Sequence, residues 1–412
     1  ATIDEAAAHP AVVLVSGPAA GAVGAARVAT AAGFPDAIAF DMGGTSTDVA
    51  LVQGLTPRIG RETKVGDLTV RASSVDIRTV GAGGGSIAHV PQLTRALRVG
   101  PQSAGADPGP AAYGKGGTEP TVTDANVVLG YLPSALAGGE ITLDAEASRA
   151  AVGKIAEAMG LESPEAAAAG IVDIVNENML GGLRLVSVQQ GFDPRDFALV
   201  AFGGAGPMHA CALAEELEMK TVLVPRASGV LSALGLAVSD VRRDYVRAVV
   251  GAEGDVEEAF AELEHRARSD LDSPRLERRA DVRYRGQAFE LTVSADDMPR
   301  LDERFHAAHD RRYGYRMDEE PVDLVNVRVM ASVSTEKPVI RERGRSNNAA
   351  HESRRASFDG KWVSVAVYDR AALGAGSELT GPAIVELAEA TCVVRPGWRG
   401  RVDEVGTLVL QR

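Results

Sequence analysis

Cysteine is almost missing from this chain of 412 residues, which has two, Cys211 and Cys392, far apart in sequence. They form neither a zinc-ligand spacing nor a disulfide framework, so a reducing cytoplasm is the expected setting. Apolar runs of membrane-spanning length are missing, and no signal-peptide pattern opens the chain. A positive charge excess is missing as well. The 43 Lys and Arg face 56 Asp and Glu, and the net charge of −13 argues against nucleic acid or an anionic membrane as partner. The few histidines offer no metal-ligand spacing. His89 and His209 each stand alone and read as satisfied structural residues, while His306 and His309 read as a solvated face of a charged helix. The chain also opens on Ala1 rather than Met, the mark expected of a processed or excised segment. Its length fits two or three domains, and 45% hydrophobic residues can bury a sizeable core.

What is present is glycine, placed after apolar strands. The run Ile38-Ala39-Phe40-Asp41-Met42-Gly43-Gly44-Thr45-Ser46-Thr47-Asp48-Val49-Ala50-Leu51 reads as strand, tight turn, strand. Gly43 and Gly44 allow close backbone approach to a ligand. The hydroxyls and amides of Thr45, Ser46 and Thr47 are suited to phosphate oxygens. Asp41 and Asp48 would repel a bare phosphate, so they make sense with a metal ion or an oriented water. Asp41 is the first candidate for the metal, with turn capping as the plain alternative. Asp48 is read equally as catalytic or as a structural tie within the hairpin.

A second glycine cluster, Gly81-Ala82-Gly83-Gly84-Gly85-Ser86, follows a strand at 75–80 and reads as a flexible loop or a backbone nest for an anion. The third is Phe202-Gly203-Gly204-Ala205-Gly206-Pro207, where a buried strand runs into a helix; glycines there let a nucleotide lie against the backbone or simply permit close packing. Residues 100–120 form a long Pro/Gly/Asp loop. Two helices of small residues are expected at 19–32 and 228–238, a buried strand at 11–15, and helices over 121–190. Asp124 caps one of these helices and, like Asp107, is a weaker candidate for metal or substrate contact. The polar triplet Asn176-Glu177-Asn178 is expected to line a cleft or to bond locally. Near residue 240 the texture changes, and 241–412 reads as a separate α+β region with a polar linker at 338–358.

Phe40–Asp48, Gly81–Ser86, Ser103-Ala104-Gly105-Ala106-Asp107-Pro108-Gly109-Pro110, Thr121-Val122-Thr123-Asp124-Ala125-Asn126, Phe202–Pro207, Tyr313-Gly314-Tyr315 and Val322–Asn326 together resemble the hydantoinase A/oxoprolinase family of the actin-like ATPase superfamily. The resemblance implies an α/β, ribonuclease H-like ATPase lobe over 1–240 and the family's C-terminal α+β domain over 241–412. It implies ATP and Mg2+ or another divalent cation as cofactors. The hairpin would hold phosphates, and Gly203, Gly204, Ala205 and Gly206 the adenosine, with the small-residue helices at a hinge. It implies opening of a cyclic amide, of hydantoin or 5-oxoproline type, through phosphorylation of the carbonyl oxygen. A hydantoinase B-type partner subunit and an oligomer are further implications. An acetone- or acetophenone-type carboxylase ATPase subunit, and a nucleotide-binding assembly module, are the alternatives. Family members begin with another Asp-Gly-Gly-Thr hairpin, which residues 1–37 do not contain, so the chain resembles the latter part of a member.

Overall fold

The computed structural model describes residues 6–7, 10–60, 63–65, 68–70, 74–136, 139–249, 255–338 and 350–412. It divides into two compact units, residues 1–237 with 338–412, and residues 238–337. The expected separate region at 241–412 therefore combines all but the first three residues of the second unit, Val238–Lys337, with a segment that belongs to the first.

In the first unit, helix α1 (Ser16–Ala31) precedes the hairpin β1 (Ala37–Met42) and β2 (Thr47–Gln53), and β3 (Ile77–Val80) pairs with β2. Helices α2 (Val122–Val128), α3 (Ala145–Met159) and α4 (Pro164–Val186) follow. Next come β4 (Ala198–Phe202), α5 (Gly206–Glu216), β5 (Thr221–Val224) and α6 (Leu231–Ala237). The second unit consists of β6 (Val241–Ala248), α7 (Val256–Asp270), β7 (Arg275–Tyr284), β8 (Leu291–Ser294), α8 (Leu301–Tyr313) and β9 (Val322–Val333). The returning segment adds β10 (Glu352–Phe358), β11 (Lys361–Asp369), β12 (Glu378–Thr380), β13 (Ala383–Glu386), β14 (Thr391–Val394), β15 (Arg399–Val402) and β16 (Leu408–Gln411).

The main sheet of the first unit runs β12-β15-β16-β5-β4-β1-β2. Its centre is parallel, β1 to β4 and β4 to β5, and β16 closes against β5 in antiparallel register. Every residue of β4 and β5 is buried, the near-continuous apolar pattern that a parallel strand covered on both faces requires. One face packs on α1 and α6 through Ala37, Ala39, Ala50, Val200 and Leu231. Alanine and glycine let these helices approach closely: a Cβ on Gly24 would stand 2.9 Å from the Leu231 carbonyl oxygen. The other face packs Ile38, Phe40 and Met42 against α4 residues Ile171, Val175 and Met179 and against α5. The return segment is fastened at the end of α5. Trp398 Nε1 donates to Glu215 Oε1 at 2.7 Å, and Arg395 Nε to Glu215 Oε2 at 3.0 Å.

In the second unit, α7 and α8 cover a sheet of order β6-β9-β7-β8 around Phe260, Tyr284 and Phe305. The expected solvated face at His306 and His309 is not what forms. His309 is 1% exposed, its Nδ1 lies 2.9 Å from the Tyr315 carbonyl, and its ring packs edge-on against Tyr284.

Other expectations also shift. The apolar run 11–15 forms a 3₁₀ turn at Pro10–Val13 rather than a strand, with Val13 and Leu14 exposed. Residues 352–358, expected as linker, are strand β10; residues 339–349 of that linker lie outside the described residues. Asp124 is settled by its bonds. Thr121 caps α2, and Asp124 answers it in a capping box. The fully buried Asp124 carboxylate accepts from Ala112 N at 2.7 Å, Thr121 Oγ1 at 2.7 Å, Ser148 Oγ at 2.9 Å, Thr121 N at 3.0 Å and Ala111 N at 3.3 Å. It joins the end of the long loop to α2 and α3, which leaves it no place among metal or substrate ligands. Asp124→Ala would strand these donors in the core. A loss of about 3 kcal/mol is expected, read as a lower urea midpoint.

Candidate functional site

The β1–β2 register sets Asp41 directly opposite Asp48. Both continue the row formed by Ala37, Ala39, Ala50 and Val52, so both carboxyl groups fall on the α1/α6 face at the end of the sheet. They line a cavity of about 10 Å³ with Pro18, Ala22, Ile77 and Phe202, space on the scale of one water. Burial, then the nearby Asp48 charge, pushes the Asp41 carboxyl up to about 6, against a hydrogen bond with Ser232. Burial also raises the Asp48 carboxyl, opposed by Thr79, whose Oγ1 donates to Asp48 Oδ1 at 2.5 Å. Asp48 thus ties β2 to β3 and faces Asp41 at once.

The turn between the acids is closed by Gly43 N donating to Ser46 O at 3.0 Å. Gly44 and Thr45 are exposed, and the backbone N–H groups of Gly44, Thr45 and Ser46 have no partner among the described residues. They form a set of donors at the hairpin tip. Thr47 differs from its neighbours. Its hydroxyl is buried and donates to Ala82 O at 2.6 Å, so it holds the second glycine loop rather than facing outward.

That second loop supports the hairpin. Gly84 N donates to Gly43 O at 3.0 Å, Gly85 N to Gly44 O at 2.6 Å, and Gly83 N to Ser86 Oγ at 2.9 Å. The amides expected to receive an anion at Gly83, Gly84 and Gly85 are therefore already committed. The approach is so close that a Cβ on Gly83 would stand 2.6 Å from Thr45 N. From behind, Thr123 of α2 donates through its amide to Gly84 O at 2.7 Å and through Oγ1 at 2.9 Å.

The third turn meets the same acid. Gly203 has φ +79°, and a Cβ there would overlap Asp41 Oδ1 and the Met42 carbonyl. Ala205 N donates to Met42 O at 3.0 Å, and Gly203 N to Ser228 O at 2.9 Å. Gly204 is exposed, its N–H unpartnered among the described residues, while Gly206 opens α5 against the Phe40 carbonyl. One turn into α5, His209 is fully buried with Nδ1 2.8 Å from Asn176 Oδ1, and burial lowers its pKa to about 4, which keeps it neutral. Asn178 Nδ2 donates to Val99 O at 3.1 Å, so of the polar triplet only Glu177, paired with Arg184 at 3.0 Å, bonds within α4, while Asn176 and Asn178 reach segments distant in sequence.

Asp107 is exposed in the long loop, apart from this set of bonds. No group of three or more His, Cys, Asp or Glu arranged for a metal occurs among the described residues. Two facing carboxylates are what the site offers a cation, and a magnesium ion is commonly held by one or two carboxylates with phosphates completing its shell. A cavity of about 890 Å³ lies along β12, β15 and β16 beside Arg399 and Arg401, and none of the three glycine turns lines it. No helix among the described residues is long and apolar enough to cross a membrane.

Comparison with known proteins matches this arrangement along the chain. Residues 1–245 match the hydantoinase/oxoprolinase family model, and residues 248–412 the hydantoinase/oxoprolinase C-terminal domain. Caprolactamase subunit alpha of Pseudomonas jessenii is 37% identical over 96% of this chain and 61% of its own length. The acetophenone carboxylase gamma subunit of Aromatoleum aromaticum is 36% identical over 96% of this chain and 59% of its own. The crystal structure of the ATP-dependent caprolactamase superposes with a TM-score of 0.82 at 35% identity, covering 96% of this chain and 61% of that one. The chain spans about three fifths of the length of these relatives. With both family models matched in order and the α/β fold shared, the chain belongs to the hydantoinase/oxoprolinase family.

Proposed function

We propose that this chain carries the phosphate- and nucleoside-binding part of an ATP-dependent hydrolase that opens a cyclic amide. The observation that carries this reading is the meeting of the paired carboxylates with the open donors of the hairpin tip and the single open N–H of Gly204 in the third turn. ATP with a divalent cation, when bound, supplies the phosphoryl group that makes an amide oxygen able to leave. The rest falls to the chain. The N–H groups of Gly44, Thr45 and Ser46 receive phosphate oxygens. Asp41, with Asp48 opposite, holds the cation or its water. Thr47, Thr123 and the Gly83–Gly85 loop keep the hairpin tip fixed, so that little reorganisation is needed when charge arrives.

The relative named a caprolactamase acts on a lactam, which favours a cyclic amide for this chain too. A partner subunit of hydantoinase B type and an oligomeric assembly belong to the same proposal, since that relative is named as a subunit. A second reading, the ATPase subunit of a ketone carboxylase, is favoured by the acetophenone carboxylase gamma subunit at similar identity.

ATP hydrolysis by the intact protein with its partner subunit separates these readings. Stimulation by hydantoin, 5-oxoproline or caprolactam supports the hydrolase, and stimulation by acetophenone with bicarbonate supports the carboxylase. Asp41→Asn is expected to lower the stimulated rate by about 100-fold or more. No ATP hydrolysis under any of these conditions would sink both enzyme readings and leave a binding module.

The same substitution has a stability signature. Because the folded protein raises the Asp41 carboxyl to about 6, the native state binds more protons than the unfolded chain between pH about 4 and about 6. This term stabilises at low pH and is lost as pH rises through about 6. Asp41→Asn removes the neutral-pH penalty, so nucleotide-free protein should gain on the order of 1–2 kcal/mol at pH 7.5 and little near pH 4, after allowance for partial exposure. Urea titrations at the two pH values check it; equal midpoints for both proteins at neutral pH would contradict it.

A further inference from the structure

The turn between β13 and β14 is closed by Leu387 N donating to Ala390 O at 2.9 Å, and it carries Glu389 to the Gly203–Gly204 turn. The Glu389 carbonyl lies 3.6 Å from where a Cβ on Gly204 would stand. On its other side the residue lies against Gly229, where a Cβ would overlap the Glu389 Cβ and stand 3.5 Å from Oε2. Any side chain at 229 would displace this glutamate. The two glycine turns are joined to each other by Gly203 N donating to Ser228 O. The glutamate is exposed, and its carboxylate has no hydrogen-bond or ion-pair partner among the described residues. The Glu389 backbone thus lies beside Gly204, and its carboxylate, an acceptor with two free oxygens, lies beside Gly229 in the turn that is hydrogen-bonded to Gly203.

We propose that Glu389 reads the ribose of the bound nucleotide, accepting hydrogen bonds from its 2′- and 3′-hydroxyls. This rests on the nucleotide reading given above and adds the residue that selects a ribonucleotide. The chemistry is that of an acidic side chain near a phosphate-binding glycine turn, where a carboxylate takes the sugar hydroxyls as donors. An unpaired carboxylate at that place repels phosphate but suits a neutral diol, and a charge-assisted hydrogen bond is stronger than a neutral one. The arrangement also divides the labour along the chain. The phosphate donors and glycine turns come from residues 1–245, and the sugar acceptor comes from the C-terminal family domain.

The test is calorimetric binding of ADP, 2′-deoxy-ADP and 3′-deoxy-ADP to the intact protein in the presence of Mg2+, with no turnover involved. Wild type should prefer ADP to 2′-deoxy-ADP or to 3′-deoxy-ADP by about tenfold or more, the scale of one hydrogen bond to a charged group. Glu389→Gln and Glu389→Ala should weaken ADP binding most and each deoxynucleotide, which keeps one of the two hydroxyls, less, so that the preference collapses toward unity. The residue is exposed, so unchanged thermal unfolding is expected in both variants. Wild-type indifference to the missing hydroxyls, or a preference retained in both variants, overturns the role of Glu389 while the ATP reading stands. If wild type binds none of the three nucleotides, the ATP reading falls and the assignment falls with it.

Discussion

The parallel pairing of β1 with β4 is the constraint on which the rest of this structure depends. Asp41 stands in register with Phe202, so the hairpin acid and the residue just before the Gly203 turn end at the same level of the sheet. From that point Gly203 must turn with positive φ, because a side chain would occupy the space of the Asp41 carboxyl. The acid is desolvated by the same crowding that positions it. A loop bringing these groups together without the sheet would have to order each residue at a conformational cost of roughly 1–2 kcal/mol. Here the buried core of β1, β4 and β5 has already fixed the strands that carry them.

The support for the hairpin comes from elements distant in sequence. Thr47 holds Ala82, the Gly84 and Gly85 amides hold Gly43 and Gly44, and Thr123 holds Gly84. Asp124, adjacent to Thr123, fastens α2 to the long loop and to α3. The turn is therefore rigid by transitive contact, although its exposed tip makes few bonds of its own. The C-terminal segment has a similar relation to the Gly203 turn. Glu215 at the end of α5 receives Trp398 and Arg395, and the β13–β14 turn lies over Gly204 and Gly229.

Much of this was legible because local signals and tertiary demands agree. The alternation Ala37, Ala39, Asp41 beside Ile38, Phe40, Met42 reads directly as a strand with two different faces. Asp144 caps α3 as its type prefers. The misses have physical reasons. Residues 11–15 carry β-formers, but a 3₁₀ turn forms at Pro10–Val13 and Val13 and Leu14 stay exposed. In β10 the arginines mask an alternation that only the partner β11 makes visible. His309 sits on a charged helix, yet its face turns toward Tyr284 and Tyr315. The return of 338–412 to the first unit rests on the pairing of Leu408–Gln411 with Thr221–Val224, a contact across nearly half the chain that no local pattern encodes. The glycines at 83–85 look alike in sequence whether they receive an anion or brace a hairpin; only the partners of their amides separate the two.

Packing alone does not account for the acid pair. Like charges directly opposite on neighbouring strands destabilise a sheet, and burial increases the cost of the charged forms. An apolar pair would fit this row, which otherwise consists of alanine and valine. The Thr79 hydroxyl and Ser232 offset part of the cost, but neither removes the facing charge. What does remove it is a cation shared between the carboxylates, or a proton held by one of them. Groups whose pKa is displaced by burial and by a specific neighbour are common at functional sites, where the strain is retained because chemistry uses it. The unpartnered donors of the hairpin tip carry the opposite sign. In the function proposed above the two sets complement each other, the carboxylates as acceptors for a cation at the base and the N–H groups as donors for phosphate at the rim.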